Sequence, residues 1–116
     1  MYEELSPETR EFFDFMMEGD LFDVFARPHK QVGGYMTYLP DYHAPFIFAN
    51  FNGTAGDVDV VTHECGHAFQ GYLLRDEEIR EFADITMETA EIHSMSMEYF
   101  TYNWMELFLA TGKTIT

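Results

Sequence analysis

The sequence has little cysteine and few basic residues. Cys65 is the single cysteine among 116 residues, so no disulfide can form within the chain, which fits a reducing compartment. Six basic residues against 21 acidic ones give a net charge of −15. A surface this acidic repels phosphate backbones and anionic lipid, so we expect no nucleic-acid partner and no membrane-surface role.

Long apolar runs and targeting signals are also missing. No apolar run approaches the ~18 residues of a membrane-spanning helix, and the segment Met1 to Leu5 has no signal-peptide character. Hydrophobic residues nevertheless make up 47% of the chain and aromatic residues 17%, which excludes disorder and predicts a real core. Length and composition together predict a single domain over residues 1–116.

The aromatic and methionine content is high for this length. The chain has 12 Phe, 7 Tyr and 8 Met residues, more than one small domain can readily bury. We therefore expect an apolar surface that supports homo-oligomer formation.

The first third of the chain predicts two helices. Ser6 followed by Pro7 is typical of a helix start, with the serine as N-cap and the proline in the first turn. Gly19 is suited to end that helix. The apolar residues between Leu21 and Phe25 predict a short second helix that ends before Pro28.

Two strands are predicted next. Residues 31–39 combine two glycines with alternating aromatic residues, and Phe46 to Phe51 is the strongest strand signal, bounded by Pro45 and the Asn52-Gly53 turn. We expect the two segments to form an antiparallel hairpin.

Two longer helices follow. The first opens at Gly56 with Asp57 as its predicted N-cap and should fray near Arg75. After a charged, weakly helical stretch, a second helix should run from Thr86 to about Ala110, with Gly112 just beyond its end.

These elements predict an α+β fold that is mainly helical, with a small antiparallel sheet beside the helix that begins at Gly56. The long last helix should cross that helix. Gly71 is small enough to allow another element to approach closely there.

The segment His63-Glu64-Cys65-Gly66-His67 carries the strongest chemical signal. This HExxH pattern places two imidazoles one turn apart on the same helix face, where both can reach one metal ion. A glutamate next to the first histidine can take a proton from water at the open metal position. Cys65 points away from that face, so we interpret it as a small buried residue.

A hydrolytic zinc site needs a third protein ligand. The continuation that would supply a third histidine from the same segment is excluded, because Gln70 and Leu73 occupy those positions. A glutamate from the last helix is the remaining common solution. Glu88, Glu91 and Glu98 lie roughly along one face of that helix, and the residues alone leave these three open. We expect His93 to be a hydrogen-bond partner or a surface residue.

Four segments of the sequence resemble the oligoendopeptidase F family, which is related to thimet oligopeptidase. They are Pro45-Phe46-Ile47-Phe48, Phe51-Asn52-Gly53-Thr54, His63-Glu64-Cys65-Gly66-His67-Ala68-Phe69-Gln70 and Glu91-Ile92-His93-Ser94-Met95-Ser96-Met97-Glu98. In the family's second signature, the first glutamate is the third zinc ligand.

The resemblance implies a zinc metalloendopeptidase of the gluzincin type. One zinc ion would be bound by His63, His67 and Glu91, with Glu64 as general base. The substrates would be short peptides and the location cytoplasmic. The strand from Phe46 to Phe51 resembles the edge strand along which the family lays its peptide substrate.

Family members are several-fold longer, so the resemblance places this chain at their catalytic core, with the N-terminal and C-terminal parts absent. A family signature with histidine and tyrosine, associated with oxyanion stabilisation, would follow Thr116. Two hypotheses therefore stand: a peptidase core, or a zinc-binding fragment without catalysis that acts as an assembly module. Glu64 favours the first, because a structural zinc site needs no base, and the missing signature favours the second.

Overall fold

A computed structural model describes residues 1–105, in which helices pack around a small sheet. In chain order the helices and strands are α1 (Tyr2–Leu5), α2 (Pro7–Glu18), β1 (Phe22–Asp23), β2 (Gly34–Leu39), β3 (Ala44–Ala49), α3 (Gly56–Leu73), α4 (Arg80–Ala83) and α5 (Met87–Thr101). Short 3₁₀ turns cover Pro40–Tyr42 and Tyr102–Trp104. The α+β fold with dominant helices is confirmed.

Helix α2 begins as the sequence predicts. The Ser6 hydroxyl accepts the Thr9 N–H at 3.1 Å, and the Thr9 hydroxyl accepts the Ser6 N–H at 3.0 Å. This reciprocal pair satisfies two N–H groups that the helix cannot pair internally. Gly19 is the C-cap, also as predicted.

The short helix predicted between Leu21 and Phe25 is wrong, because this segment contains strand β1. The Ile47 N–H donates to the Leu21 carbonyl at 3.0 Å, and the Phe51 N–H donates to the Val24 carbonyl at 3.1 Å. A segment this short cannot offset the cost of nucleating a helix, whereas pairing with a preformed strand satisfies its backbone at once. Its apolar residues fit either structure.

The predicted β2–β3 hairpin is confirmed, with Met36 opposite Ile47 in its register. The connection is a 3₁₀ turn closed by His43 in the left-handed region at φ 48°. Because β1 pairs parallel to β3, the sheet has the order β1-β3-β2 and is mixed rather than purely antiparallel. Strand β3 is therefore central, and the expectation that it is an edge strand is wrong. Within residues 1–105, the free edge beside the hairpin belongs to β2.

Asp57 does not cap α3 as predicted. The N-cap is Ala55, two residues earlier, and the Asp57 carboxylate accepts the backbone N–H groups of Asn52 (3.0 Å) and Gly53 (2.7 Å). Those two N–H groups belong to the turn after β3 and have no strand partner. The aspartate therefore fixes the path from the sheet into α3.

Helix α5 starts where the sequence predicts. Thr86 is the N-cap and its side chain accepts the Thr89 N–H at 3.4 Å. The α-helix ends at Thr101, where the chain tightens into a 3₁₀ turn. The predicted end near Ala110 and the following Gly112 lie outside the described residues.

Helix α3 is the centre of the core. On one side Phe12 of α2 packs against Phe69 and Tyr72 of α3, with ring centroids 5.3 and 5.6 Å apart. The Tyr72 hydroxyl also donates to Glu11 at 2.7 Å, which ties α2 to α3. On its other sides α3 packs against the sheet and α5. In the described part of the chain, no helix is both long and apolar enough to cross a membrane.

Two glycines set how closely α3 approaches its neighbours. A Cβ added at Gly66 would lie 2.4 Å from Ser94 Cα, so α3 and α5 meet backbone to backbone there. A Cβ added at Gly34 would lie 2.7 Å from the Val60 side chain, which fixes β2 against α3. The close approach expected at Gly71 is not present, because a Cβ there would make only ordinary contact with Tyr38 at 3.5 Å.

We predict that Gly66→Ala destabilises the fold. The added methyl must push α3 and α5 apart, and overpacking of this kind costs about 1–3 kcal/mol even though alanine favours a helix. Gly56→Ala is the matched control, because the nearest atom to its added Cβ is the Thr54 hydroxyl at 3.4 Å. Urea unfolding of the three proteins measures the difference. Equal unfolding free energies for both variants would contradict the close packing at Gly66.

Candidate metal centre

Three predicted ligands come together between α3 and α5. The Nε2 atoms of His63 and His67 are 3.2 Å apart. Glu91 of α5 reaches both of them, with Oε2 3.4 Å from His63 Nε2 and Oε1 3.6 Å from His67 Nε2. One donor atom from each residue can be chosen so that all three lie within 4.8 Å of one another.

The spacing of these donors fits one zinc ion. Ligands about 2.0–2.1 Å from a tetrahedral zinc are about 3.3 Å apart, and the observed separations run from 3.2 to 3.6 Å. Two imidazole nitrogens and a carboxylate are also a donor set that zinc accepts. His63, His67 and Glu91 therefore suit a single metal ion.

Glu98 is a further carboxylate at this centre, on the far side of His63. Its Oε1 is 2.5 Å from His63 Nδ1. Since an ionised carboxylate only accepts, the Nδ1–H donates and the Nε2 lone pair points toward His67 and Glu91. Such a partner holds a metal-binding histidine in the required tautomer and orientation. Of the three glutamates that the sequence leaves as candidates, Glu91 and Glu98 contact the histidines. Glu91 contacts Nε2 of both, and Glu98 contacts Nδ1 of His63.

Glu64 lies beside the cluster and is buried, with 9% of its surface exposed. Burial raises the pKa of its carboxyl, and the charge of Glu91 raises it further. His63 and a hydrogen bond from the Met36 backbone act in the opposite direction and lower this pKa. The net shift is upward, which makes Glu64 a better proton acceptor near neutral pH than an exposed glutamate.

The contact with Met36 places Glu64 at the free edge of β2. Met36 pairs with Ile47, whose N–H is directed to Leu21 on the opposite side of β3. The Met36–Ile47 pair is therefore the non-hydrogen-bonded kind, so the N–H and C=O of Met36 point away from β3. Glu64 meets the strand at these outward groups.

The second histidine is held in the neutral form that binds metal. Desolvation lowers the pKa of His67, as does the neighbouring His63, while Glu91 works against this shift. A histidine ligand must be unprotonated, so a lowered pKa reduces competition between protons and metal.

The other candidates lie away from the cluster. Glu88 is exposed in the first turn of α5. His93 is exposed and lines an apolar groove with Phe69 and Met97, so the expectation of a surface role agrees with its position. Cys65 is buried as predicted, and burial raises the pKa of its thiol to about 12, which leaves it unreactive.

Comparison with known protein families identifies the class. The model of peptidase family M3 matches residues 10–115. The chain belongs to this family, and the His-His-Glu group fits the metal requirement of a metallopeptidase. Comparison with curated proteins gives no match.

Solved structures agree with this assignment. A protein assigned as oligoendopeptidase F from Bacillus anthracis str. Ames is 60% identical, with a TM-score of 0.90 over 94% of this chain and 20% of its own. PZ peptidase A, crystallised with an inhibitor, is also 60% identical, with a TM-score of 0.87 over 91% of this chain and 19% of its own. A Chlamydophila abortus protein assigned as a peptidase is 29% identical, with a TM-score of 0.74 over 95% of this chain and 19% of its own. The chain thus spans about a fifth of the length of these structures and resembles the oligoendopeptidase F group, as its motifs predict.

We predict that Glu98→Gln weakens zinc binding by about 10–100-fold, the usual effect of losing an outer carboxylate that orients a histidine ligand. Competition with a chromophoric chelator measures the dissociation constant. Glu88→Gln is the matched control on the same helix and should bind zinc as the wild type does. If both variants bind zinc equally well, Glu98 does not orient His63.

Proposed function

We propose that this chain is the catalytic core of a zinc-dependent oligopeptidase that hydrolyses short peptides. His63, His67 and Glu91 hold one zinc ion, and Glu64 is the general base. The family, the spacing of the three donors and the placement of Glu64 support this proposal.

The observation that carries it is a buried carboxylate that is beside the three donors but is not one of them. Within residues 1–105 the metal-binding group comprises three donors, which leaves a position for an exchangeable ligand. A structural zinc site is usually closed by a fourth protein ligand and has no use for a base. A three-donor site with an adjacent glutamate is the arrangement of a hydrolase.

Glu64 carries the proton during peptide hydrolysis. When bound, zinc supplies the electrophilic activation of water and of the scissile carbonyl. Glu64 accepts the proton of the attacking water and then delivers it to the nitrogen of the leaving amine. Its raised pKa makes the first transfer easier, because burial favours the protonated carboxyl that this transfer produces. Glu98 keeps the Nδ1 proton on His63 throughout.

The free edge of β2 gives the peptide a place to bind. The outward C=O of Met36 can pair with an extended peptide, which adds to the sheet as a further strand. The N–H of Met36 already donates to Glu64. Such a peptide passes over Glu64, since that carboxylate already contacts the same edge. The substrate strand is therefore assigned to Gly34–Leu39 in place of Phe46–Phe51. An unstructured peptide meets this requirement, because its backbone is free to pair.

A reducing location and self-association complete the proposal. The buried, unreactive Cys65 fits the cytoplasm. Exposed apolar side chains such as Phe25 and Val32 are 82% and 89% exposed and can support a homo-oligomer.

The alternative is a zinc-binding module without catalysis. The three donors alone would suffice for such a module, because metal binding needs no base. The two functions share a metal site and differ in whether Glu64 is used.

We predict that Glu64→Gln removes peptidase activity and keeps zinc. Loss of a general base costs about 10²–10⁴-fold in rate, while the donors of the metal are untouched. Cleavage of a quenched fluorescent peptide by the zinc-loaded proteins measures the rate, and metal analysis after gel filtration measures zinc content. Zinc-loaded wild type without turnover would overturn the catalytic proposal in favour of the binding module.

We predict that Glu91→Gln weakens zinc binding more than Glu98→Gln does, because it removes a donor and not its support. The zinc dissociation constant of Glu91→Gln should therefore rise by more than the about 10–100-fold expected for Glu98→Gln. Chelator competition gives the order of affinities, with Glu88→Gln again as the control. The reverse order would show that Glu98, and not Glu91, is the third ligand.

A further inference from the structure

An exposed apolar stripe runs along α5 and into the turn that follows. We call it the α5 ridge, and its members are Ile92 (64% exposed), Met95 (49%), Tyr99 (64%) and Tyr102 (51%). Their spacing of three, four and three residues places them on one side of a helix. The ridge is continuous, because the rings of Tyr99 and Tyr102 meet edge to face with centroids 5.3 Å apart.

The α5 ridge lies beside the candidate metal centre. Met95 is four residues after Glu91 and three before Glu98, so it lies between these carboxylates along the helix axis. Around the axis it is rotated by about 40° from Glu91 and about 60° from Glu98. Both carboxylates contact His63. The face of α5 against α3 is a different one, where Ser94 is fully buried. The ridge therefore borders the centre on its solvent side.

The free edge of β2 borders the centre on the other side. Helix α3 packs against both β2 and α5, and it carries Glu64 next to Met36 and His63 next to Glu98. Strand β2 and the α5 ridge thus lie on two sides of the candidate metal centre, with α3 between them. A peptide paired with β2 turns some of its side chains toward α5, since side chains alternate along a strand.

We propose that the α5 ridge determines substrate specificity by binding a large apolar side chain, preferably an aromatic one, next to the cleaved bond. This inference rests on the proposed peptidase function. Tyrosine rings attract other aromatic rings edge to face, and the Met95 thioether makes favourable contacts with an aromatic ring. Glu91 and Glu98 flank the same surface and disfavour an acidic side chain there.

A substrate explains the exposure of these residues better than a second copy of the chain does. A dimer formed through the ridge would cover the open side of the cluster, because Met95 lies between Glu91 and Glu98. The three donors and the base would then have no access to a peptide. A ridge left open beside the metal centre can contact a bound peptide.

The test uses the zinc-loaded chain and matched peptides that differ only by Phe or Ser at successive positions around the cleaved bond. Wild type should cleave one Phe peptide with a kcat/KM about tenfold above its Ser partner, as expected for one well-packed aromatic side chain. The Met95→Ser/Tyr99→Ser double variant should lose that preference, so that its kcat/KM values for the two peptides become about equal. Met17→Ser is the matched control, because Met17 is 57% exposed on α2.

Binding separates this inference from the proposed function. Fluorescence anisotropy with zinc-loaded Glu64→Gln measures peptide affinity without turnover. A Phe preference in binding that disappears on adding the Met95→Ser/Tyr99→Ser changes supports the ridge even if wild type cleaves nothing. Cleavage with a Phe preference that survives these changes overturns the ridge and leaves the peptidase intact. Sedimentation that shows a dimer abolished by the same changes also overturns it, because the ridge is then a contact between copies.

Discussion

The backbone contact between α3 and α5 sets the distance on which the candidate centre depends. Gly66 lies between the two histidines of its helix, and Ser94 lies between Glu91 and Glu98 of the other, so candidate ligands lie within about one turn of the crossing point on both helices. A larger residue at Gly66 would separate the helices, since an added Cβ would meet Ser94 Cα at 2.4 Å. Short carboxylate side chains would then no longer span the gap to the imidazoles. The glycine inside the HExxH pentad thus serves the geometry of the site, although it offers no donor atom.

Charge is the second constraint. Glu64, Glu91 and Glu98 converge on two histidines within a chain of net charge −15. Carboxylates this close repel one another, and burial adds a desolvation cost at Glu64. A divalent cation bound there would relieve that repulsion, so metal binding and the pairing of α3 with α5 would stabilise each other. The three carboxylates differ in what they contact. Glu91 contacts Nε2 of both histidines, Glu98 contacts Nδ1 of His63, and Glu64 contacts the Met36 backbone at the edge of β2.

Local signals in the sequence predicted the capped start of α2, the hairpin, and the helix carrying His63 and His67, because each depends on neighbouring residues. The segment around Phe22 was misread because its apolar residues fit a helix or a strand, and only a distant strand decides between them. Spacing on α5 could not choose among Glu88, Glu91 and Glu98, since the choice depends on where α3 crosses. The resemblance indicated Glu91, and the structure brings Glu91 to the histidines. One sequence signal pointed to Glu98 as the partner of His63 Nδ1, namely that Glu98 shares a helix face with Glu91. No sequence signal predicted that β2 is an edge strand, because the order of the strands depends on the pairing of β1 with β3.

The indole of Trp104 donates to the Glu4 carboxylate at 2.7 Å, joining residues one hundred positions apart. This hydrogen bond joins α1, near the start of the described chain, to the 3₁₀ turn that follows α5 near its end. Trp104 is the single tryptophan of the chain, so its fluorescence is a natural reporter of this contact. It lies in the turn beyond α5 and is not part of the metal cluster. An optical signal of folding is thus separate in space from the chemistry of the centre, and the assembly of the chain and its loading with metal can be followed independently in the same sample.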